Sequence, residues 1–259
     1  MKNRRPAAFT LVEVMVSMTV GAIVMGMCLS TFLMGMRTLY KDNQRLATNA
    51  SLRSFMAQIS KETLDASYFY VFPYYTSLTS SIDLATAPAS MAQIEDAADN
   101  DYDKWVAQGD CLVLVTRTSQ YRTTDIRQIR IYYRTTTSQG SRNQEAPLRY
   151  YETADWGEGT ASTSNGHTDL ATELGAINLN ANPLRSGSRL IHPRTVGRKV
   201  PAPYTGYTAG DRYPIFCTES PDSTPTNGFI ALNLEFINGS TTNNLLSSSS
   251  FNYTISPRR

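Results

Sequence analysis

The hydrophobic pattern sets the first part of the chain apart from the rest. Residues 9–36 are apolar almost without interruption, whereas later apolar runs are short and separated by polar residues. A helix over this segment would extend roughly 40 Å at 1.5 Å per residue, which is enough to cross a bilayer. A cleavable secretory signal has an apolar core of only about 7 to 15 residues. The pattern therefore predicts a transmembrane helix.

Helical periodicity continues beyond the apolar segment, over residues 37–67. Apolar residues recur there every three or four positions among charged ones. The members of this stripe are Leu52, Phe55, Met56, Ile59 and Thr63. We therefore predict one continuous helix, whose residues 9–36 cross the membrane and whose residues 37–67 pack on a folded head.

Residues 68–259 have the pattern of a β-rich head. The aromatic, proline-broken run Tyr68–Tyr75 is expected to leave the helix as an extended segment. Alternating or short apolar runs predict strands at 111–116, 126–134, 148–153, 229–237 and 251–256. Tracts rich in Gly, Pro, Ser, Thr and Asn predict surface loops at 154–188, 218–228 and 238–250. The predicted fold class is α+β, with a long N-terminal helix packed on an antiparallel sheet.

The overall charge favours no particular partner. The formal net charge is +2 and the isoelectric point is about 8.4, too mild to indicate a nucleic-acid binder. The mean hydropathy of -0.31 describes a folded soluble protein. Because residues 9–36 depart so strongly from that average, they form a separate, membrane-seeking element.

Charged residues near the N-terminus set the expected orientation and present one anomaly. Lys2, Arg4 and Arg5 precede the apolar segment, so the amino end should stay in the cytoplasm with the head outside. Glu13 lies inside the segment, where a carboxylate costs on the order of 2.5 to 3.5 kcal/mol on insertion scales. Cleavage before Phe9 would create an α-amine with a pKa of about 8, which could pair with Glu13 of a neighbouring subunit.

The string A-FTLVEVMVSM, residues 8–18, resembles the prepilin signal of type IV pilins and type II secretion pseudopilins. The resemblance extends over residues 1–36 and makes residues 1–8 a basic leader. It implies that a membrane-embedded prepilin peptidase cuts between Ala8 and Phe9 and N-methylates Phe9. It also implies that Glu13 is the carboxylate used in filament assembly. Ala8 departs from the glycine usual before the cut, although it is also a small residue.

The order of the helix and the predicted strands is similar to that of minor pseudopilins of the J type and minor pilins of the W type. Many major pilins carry a proline in the N-terminal helix, whereas this chain has none between Pro6 and Pro73, which favours a minor subunit. The resemblance implies a structural subunit that initiates, primes or caps a type IV pilus or a type II secretion pseudopilus.

The same resemblance implies a location and a set of partners. The protein is expected in the inner membrane, with a single pass, a cytoplasmic N-terminus and a periplasmic head. It would later join a filament in the periplasm or at the cell surface. Its expected partners are other pilins or pseudopilins, the prepilin peptidase and an inner-membrane assembly platform.

Three cysteines are present, one in the membrane segment and two in the head. Cys28 lies among the apolar residues, whereas Cys111 and Cys217 belong to the head. Outside the cytoplasm the latter two are candidates for a disulfide. The alternative is two buried, unpaired thiols, since cysteine behaves as a small apolar residue.

An acidic run in the head is a candidate calcium site. Asp99, Asp101 and Asp103 have the alternate spacing of a calcium loop, and Asp110 occupies its twelfth position. Lys104 stands at the sixth position, where such a loop needs glycine for a sharp turn. We therefore expect a solvated acidic loop and no cofactor, with calcium as the alternative.

Catalysis and DNA binding are the remaining alternatives. His167 and His192, the latter in an expected loop, belong to no catalytic motif, so we expect no enzymatic activity. A membrane-anchored periplasmic enzyme or ligand-binding protein is the alternative class. Strand arginines such as Arg127 and Arg130 could neutralise DNA phosphates in a DNA-uptake minor pilin. Arginines on outward strand faces that keep the sheet soluble are the simpler explanation.

Overall fold

The computed structural model describes residues 10–79, 91–94, 104–118, 124–135, 143–179, 182–200, 211–220, 229–238 and 247–255. Its first element is helix α1, Leu11–Asp65, which runs for 55 residues. Ala66 follows in an extended conformation, with ψ at 137°, and ends the helix close to the predicted end at residue 67. The predicted continuous helix is therefore confirmed.

A sheet of ten antiparallel strands follows, together with two short helices, among the described residues. The strands are β1 Tyr68–Phe72, β2 Met91–Ile94, β3 Lys104–Gly109, β4 Cys111–Arg117, β5 Ile126–Arg134, β6 Ala146–Glu152, β7 Arg189–Gly197, β8 Phe216–Ser220, β9 Phe229–Asn238 and β10 Ser247–Ile255. The short helices are a 3-10 helix at Tyr75–Thr79 and α2 at Leu170–Ile177. A long helix with an antiparallel sheet confirms the predicted α+β class.

Strand β9 joins the two halves of the sheet. The strand order is β1-β4-β5-β6-β7-β9-β8-β3-β2, with β10 also paired to β9. β10 follows one edge of β9 along nearly its whole length, while β7 and β8 share the other edge. The alternate β9 residues Ile230, Leu232, Leu234 and Phe236 are buried, as predicted. β9 thus lies inside the sheet with neighbours on both edges. Its buried face forms the middle of the core.

The core occupies both faces of the sheet. Leu52, Phe55 and Ile59 of α1 pack on one face together with the buried residues of β9. A second cluster includes Leu78 of the 3-10 helix and Leu174 of α2, packed against β4 and β5. Consecutive residues at the centre of β5 alternate between the two clusters, since successive strand residues point to opposite faces.

The polar tracts predicted as loops contain regular elements. Helix α2 lies within 154–188, where Asp169 caps it by accepting hydrogen bonds from two N–H groups of its first turn. β10 begins within 238–250 with four serines that pair with β9 through the backbone. β8 extends into the tract at 218–228. β7 was not predicted because Pro193 interrupts its sequence and its apolar residues do not alternate. The sequence pattern therefore underestimated the sheet.

A buried ion pair joins several strands of the head. Arg134, at the end of β5, has a fully buried side chain, and Asp110, between β3 and β4, is 3% exposed. Asp110 Oδ2 accepts hydrogen bonds from Nε of Arg134 at 3.1 Å and from Nη2 at 2.7 Å. Nη1 donates to the backbone oxygens of Gln144 and Thr195. The expectation that strand arginines face outward is therefore wrong for Arg134, because a carboxylate and two carbonyls compensate its charge inside the head.

Replacing Asp110 with alanine should destabilise the head strongly. The change leaves the buried Arg134 guanidinium without its counter-charge, which typically costs roughly 3 to 5 kcal/mol. Asp155→Ala is the matched control, because it breaks an ion pair with Arg127 whose side chains are 46% and 48% exposed. Exposed pairs contribute only about 0 to 1 kcal/mol. Urea unfolding of the full chain in detergent, followed by tryptophan fluorescence, measures both; equal midpoints would contradict this account.

Candidate functional site

The first half of α1 has no cover in this structure. Every residue from 10 to 43 is exposed, including large apolar side chains such as Leu11, Phe32 and Leu39. Its most apolar 18-residue window has a mean hydropathy of 2.0, and none of that window is buried. By length and composition, α1 can cross a membrane. An uncovered apolar surface of this size needs lipid or other helices around it.

The carboxylate of Glu13 caps the helix that carries it. The Oγ1 atom of Thr10, the residue before α1, accepts a hydrogen bond from the backbone N–H of Glu13 at 3.3 Å. In return, the Glu13 carboxylate accepts from the backbone N–H of Thr10 at 2.9 Å and from its hydroxyl at 3.1 Å. This capping box satisfies N–H groups that have no partner within the helix. In the single subunit, Glu13 is therefore bound to its own helix terminus.

The second half of α1 is fixed to the head by apolar and polar contacts. Its buried residues are Thr48, Leu52, Phe55, Ile59 and Thr63. Beside them, the Glu62 carboxylate accepts hydrogen bonds from the hydroxyls of Tyr132 at 2.6 Å and Tyr150 at 3.0 Å. Burial raises the pKa of both tyrosines, and neighbouring carboxylates raise it further, so both hydroxyls keep their protons. The exposed half of α1 is thus the free end of a helix anchored in the sheet.

Comparison with known families identifies the N-terminal segment. The family model described as the prokaryotic N-terminal methylation motif matches residues 3–29. The comparisons with curated proteins and with solved structures gave no match. The matched segment includes Ala8, Phe9 and Glu13 and leads into a long helix packed on an antiparallel sheet. Residues 3–29 therefore carry a prokaryotic N-terminal methylation motif, which is consistent with a type IV pilin-like prepilin signal.

The structure describes one of the three predicted assembly residues. Ala8 and Phe9 lie outside the described residues. Glu13 is the third residue of α1, in its first turn. The cleavage, methylation and assembly roles of these residues stay predictions.

Cys111 and Cys217, the candidates for a disulfide, are not joined to each other in this structure. Cys111 is buried in the second apolar cluster, and burial raises the pKa of its thiol well above the usual range. Cys217 lies in β8, with its sulfur 3.7 Å from the side-chain nitrogen of Asn233. Cys111 is therefore buried and Cys217 partly exposed, with no disulfide between them.

The structure describes only part of the candidate calcium loop at 99–110. Asp99, Asp101 and Asp103 lie outside the described residues, but Lys104–Gly109 forms β3, paired with both β2 and β8. Asp110 is bound to Arg134 instead. Among the described residues, no group of three or more His, Cys, Asp or Glu side chains could hold a metal ion.

The two histidines are held by packing within the head. His192 lies in β7 rather than in the expected loop, and its buried ring stacks on Phe236 with centroids 4.2 Å apart. Burial lowers the pKa of His192. His167 stacks on Trp156 with centroids 3.8 Å apart, and its Nδ1 atom lies 2.8 Å from Oε1 of Glu173. These contacts give both rings structural roles.

Arginines of the candidate DNA surface bind partners within the head. Arg127 donates to both carboxylate oxygens of Asp155. Arg130 donates to the side chains of Gln128 and Thr116. Further ion pairs join Arg194 to Glu145 and Arg212 to Glu235. Carboxylates within the head therefore compensate the charges of Arg127 and Arg194.

Two parts of this site were not predicted from the sequence. Thr10 had a readable signal, because T-x-x-E before an apolar run is typical of a capping box. The tyrosines that bind Glu62 had none, because they lie 70 and 88 residues further along the chain.

Replacing Thr10 with alanine should loosen the first turn of α1. Loss of a capping side chain costs about 1 kcal/mol, so backbone hydrogen exchange there should become roughly fivefold faster. Exchange of the N-terminal peptide, measured by mass spectrometry on the full chain in micelles, checks this. Thr38→Ala is the control, because the Thr38 hydroxyl only donates to the Met34 carbonyl within the helix. Unchanged exchange in the Thr10 variant would refute the capping role.

Proposed function

We propose that this chain is a minor pilin or minor pseudopilin, a structural subunit that initiates, primes or caps a type IV pilus or type II secretion pseudopilus filament. The observation that carries the proposal is the uncovered apolar segment of α1, residues 11–36, which begins in a methylation motif and contains one carboxylate, Glu13. Such a helix suits lipid first and a bundle of similar helices afterwards. The protein works by assembly and not by catalysis.

The uninterrupted α1 supports a minor rather than a major subunit. The helix has neither a proline nor a break over its 55 residues. Many major pilins carry a helix proline, which kinks or locally melts the helix, as the sequence resemblance indicates. An uninterrupted, proline-free helix suits a subunit placed at the filament end, where fewer neighbours constrain its shape.

Orientation and processing follow from charge. Lys2, Arg4 and Arg5 keep the amino end in the cytoplasm, and the head is then periplasmic. The prepilin peptidase cuts between Ala8 and Phe9 and methylates the new terminus. The α-amine so created is cationic at neutral pH and lies next to the assembly segment.

During assembly, helices of neighbouring subunits replace the lipid around the exposed half of α1. The carboxylate of Glu13 pairs with the α-amine of an adjacent subunit, which sets the axial position of one helix relative to the next. The exposed surface includes Gly21 and Gly26, where no atom would lie within 4 Å of an added Cβ, so backbones can approach closely. Head-to-tail contacts of this kind do not close on themselves, and they generate helical fibres.

The DNA-uptake and enzyme alternatives have less support. Arg127 and Arg130, which would contact phosphates, are bound to partners in the head. The histidine rings are occupied by packing and by Glu173. Weak or absent DNA binding by the purified protein is therefore expected.

Leader cleavage is the first test of the proposed function. In cells with prepilin peptidase, the mature protein should lack residues 1–8 and carry one added methyl group; in cells without the peptidase, the full chain should persist. Intact-mass analysis of the protein from membranes measures both. An uncleaved chain in both cell types would leave a plain membrane anchor and remove the basis for a filament subunit.

The Glu13→Ala variant tests assembly separately from insertion. It should enter the membrane normally, because removing a carboxylate from the apolar segment lowers the insertion cost. Its recovery in the cross-linked filament fraction should fall more than about tenfold, because the neighbouring α-amine loses its counter-charge. Ser17→Ala, one turn further along α1, is the control and should assemble normally. Normal incorporation of the Glu13 variant would contradict the assigned role.

A further inference from the structure

Three exposed cations form a single stripe on α1 just beyond the apolar segment. Arg37, Lys41 and Arg45 are spaced four residues apart, and all three are exposed. A helix turns about 100° per residue, so their directions fall within an arc of about 80°. Asp42 is the one carboxylate in this interval. Within the described part of the chain, no ion pair engages any of the three cations.

The basic stripe points to the side of α1 on which the head lies. Eighteen residues make about five complete helical turns, so residues eighteen apart point the same way. Phe55, Ile59 and Thr63 stand eighteen residues after the three cations in turn, and each is buried against the sheet. The stripe therefore continues the head-binding face, roughly 27 Å closer to the N-terminus at 1.5 Å per residue. It faces the space below the head.

The stripe also lies at the level of a membrane surface. From Leu11, at 1.5 Å per residue, Arg37 is about 39 Å and Lys41 about 45 Å along the helix axis. A hydrocarbon core about 30 Å thick that begins near Leu11 ends about 9 Å before Arg37, so these two long side chains, which lean back toward the N-terminus of the helix, extend their cations toward the phosphates on the head side. Basic residues on the translocated side of a membrane helix run against the usual distribution, which concentrates them on the cytoplasmic side. A specific partner accounts for this departure.

We propose that the basic stripe binds the phosphate groups of anionic phospholipids in the leaflet below the head. This inference rests on the membrane anchoring in the proposed function and adds a binding surface to it. Arginine forms paired hydrogen bonds with phosphate oxygens, and the stems of arginine and lysine lie comfortably along apolar surface. The contact fixes the depth of α1 and the side on which the head overhangs the bilayer.

Lipid phosphate fits this surface better than a protein carboxylate does. The cations lie at the depth of the headgroups, directly after the apolar residues that hydrocarbon would cover. They face the head side, so a subunit in the membrane has lipid directly beneath its own overhang. A carboxylate of a neighbouring subunit would become available only after assembly.

The test uses the full chain purified in detergent micelles and titrated with phosphatidylglycerol or with phosphatidylcholine, with bound lipids counted by native mass spectrometry. The wild-type chain should bind the first phosphatidylglycerol more tightly than phosphatidylcholine. Arg37→Gln combined with Lys41→Gln should weaken phosphatidylglycerol binding by about 25-fold, since each cation contributes a factor of roughly five at an anionic surface. Phosphatidylcholine binding should stay unchanged.

Arg53→Gln combined with Lys61→Gln is the matched control, because it removes the same charge from exposed positions of α1 beyond the headgroup level. The control should bind phosphatidylglycerol like the wild type. Equal binding by the stripe variant and the control would overturn the proposal. Competition by inorganic phosphate at millimolar concentration would also overturn it, since it would indicate a free-anion site. The proposal would also be overturned if the stripe variant bound lipid normally but lost a co-purifying subunit, because that result would assign the stripe to a protein partner.

Failure of this inference is distinguishable from failure of the proposed function. Leader cleavage and methylation are read from the mass of the mature chain and do not depend on the lipid contact. Resistance of the stripe variant to carbonate extraction reports whether α1 is inserted. A processed, inserted chain without lipid preference would refute the stripe alone, whereas an unprocessed chain would refute the filament subunit.

Discussion

The packing of one helical stripe on an antiparallel sheet is the interaction on which the rest of this molecule depends. Leu52, Phe55 and Ile59 cover a sheet face that would otherwise be exposed. Burial of each such side chain stabilises the folded state by about 1.5 to 3 kcal/mol. Because α1 continues without a break into the exposed half, this contact also fixes where its first half begins. Residue spacing in the second half therefore determines which side of the exposed half lies under the head.

The face of the sheet away from α1 also has apolar residues that need cover. A strand such as β5 contributes to both core clusters, so a second layer must cover the side away from α1. The 3-10 helix and α2 supply it. The ion pair between Asp110 and Arg134 lies where β3, β4 and β5 meet, and it satisfies polar groups that this double coverage removes from water. None of residues 10–43 contributes to either cluster, since all of them are exposed.

Sequence reasoning predicted the features that depend on local periodicity. The helical stripe of α1 and the alternation of Ile230 and Leu232 in β9 follow directly from residue spacing. It predicted the second half of β10 but missed the first, because the serines there gain their partners through the backbone of β9, which leaves no side-chain signal. It also placed Arg134 outside, since its partner Asp110 is 24 residues away in sequence. Long-range polar pairing has no periodic signature, and the contacts of Glu62 were hidden for the same reason.

At the candidate site, the sequence indicated that the Glu13 carboxylate lacks a partner in the apolar segment. The structure shows its partner within the single subunit, which is Thr10. Thr10 gives Glu13 two hydrogen bonds, but neither carries a full positive charge. A helix N-terminus offers about half an elementary charge, whereas a free α-amine offers a whole one. The capping box therefore lets the single subunit keep Glu13 within the apolar segment while leaving part of its charge uncompensated. In the proposed filament, this uncompensated part of the Glu13 charge favours pairing with a neighbouring amine over pairing with the terminus of its own helix.

The same reasoning applies to the basic stripe, whose cations have no ionic partner among the described residues. In the proposed function, charges at the two ends of the apolar segment hold the subunit at one depth in the lipid. Its release from the membrane then becomes favourable only when a neighbouring subunit supplies a better partner for Glu13.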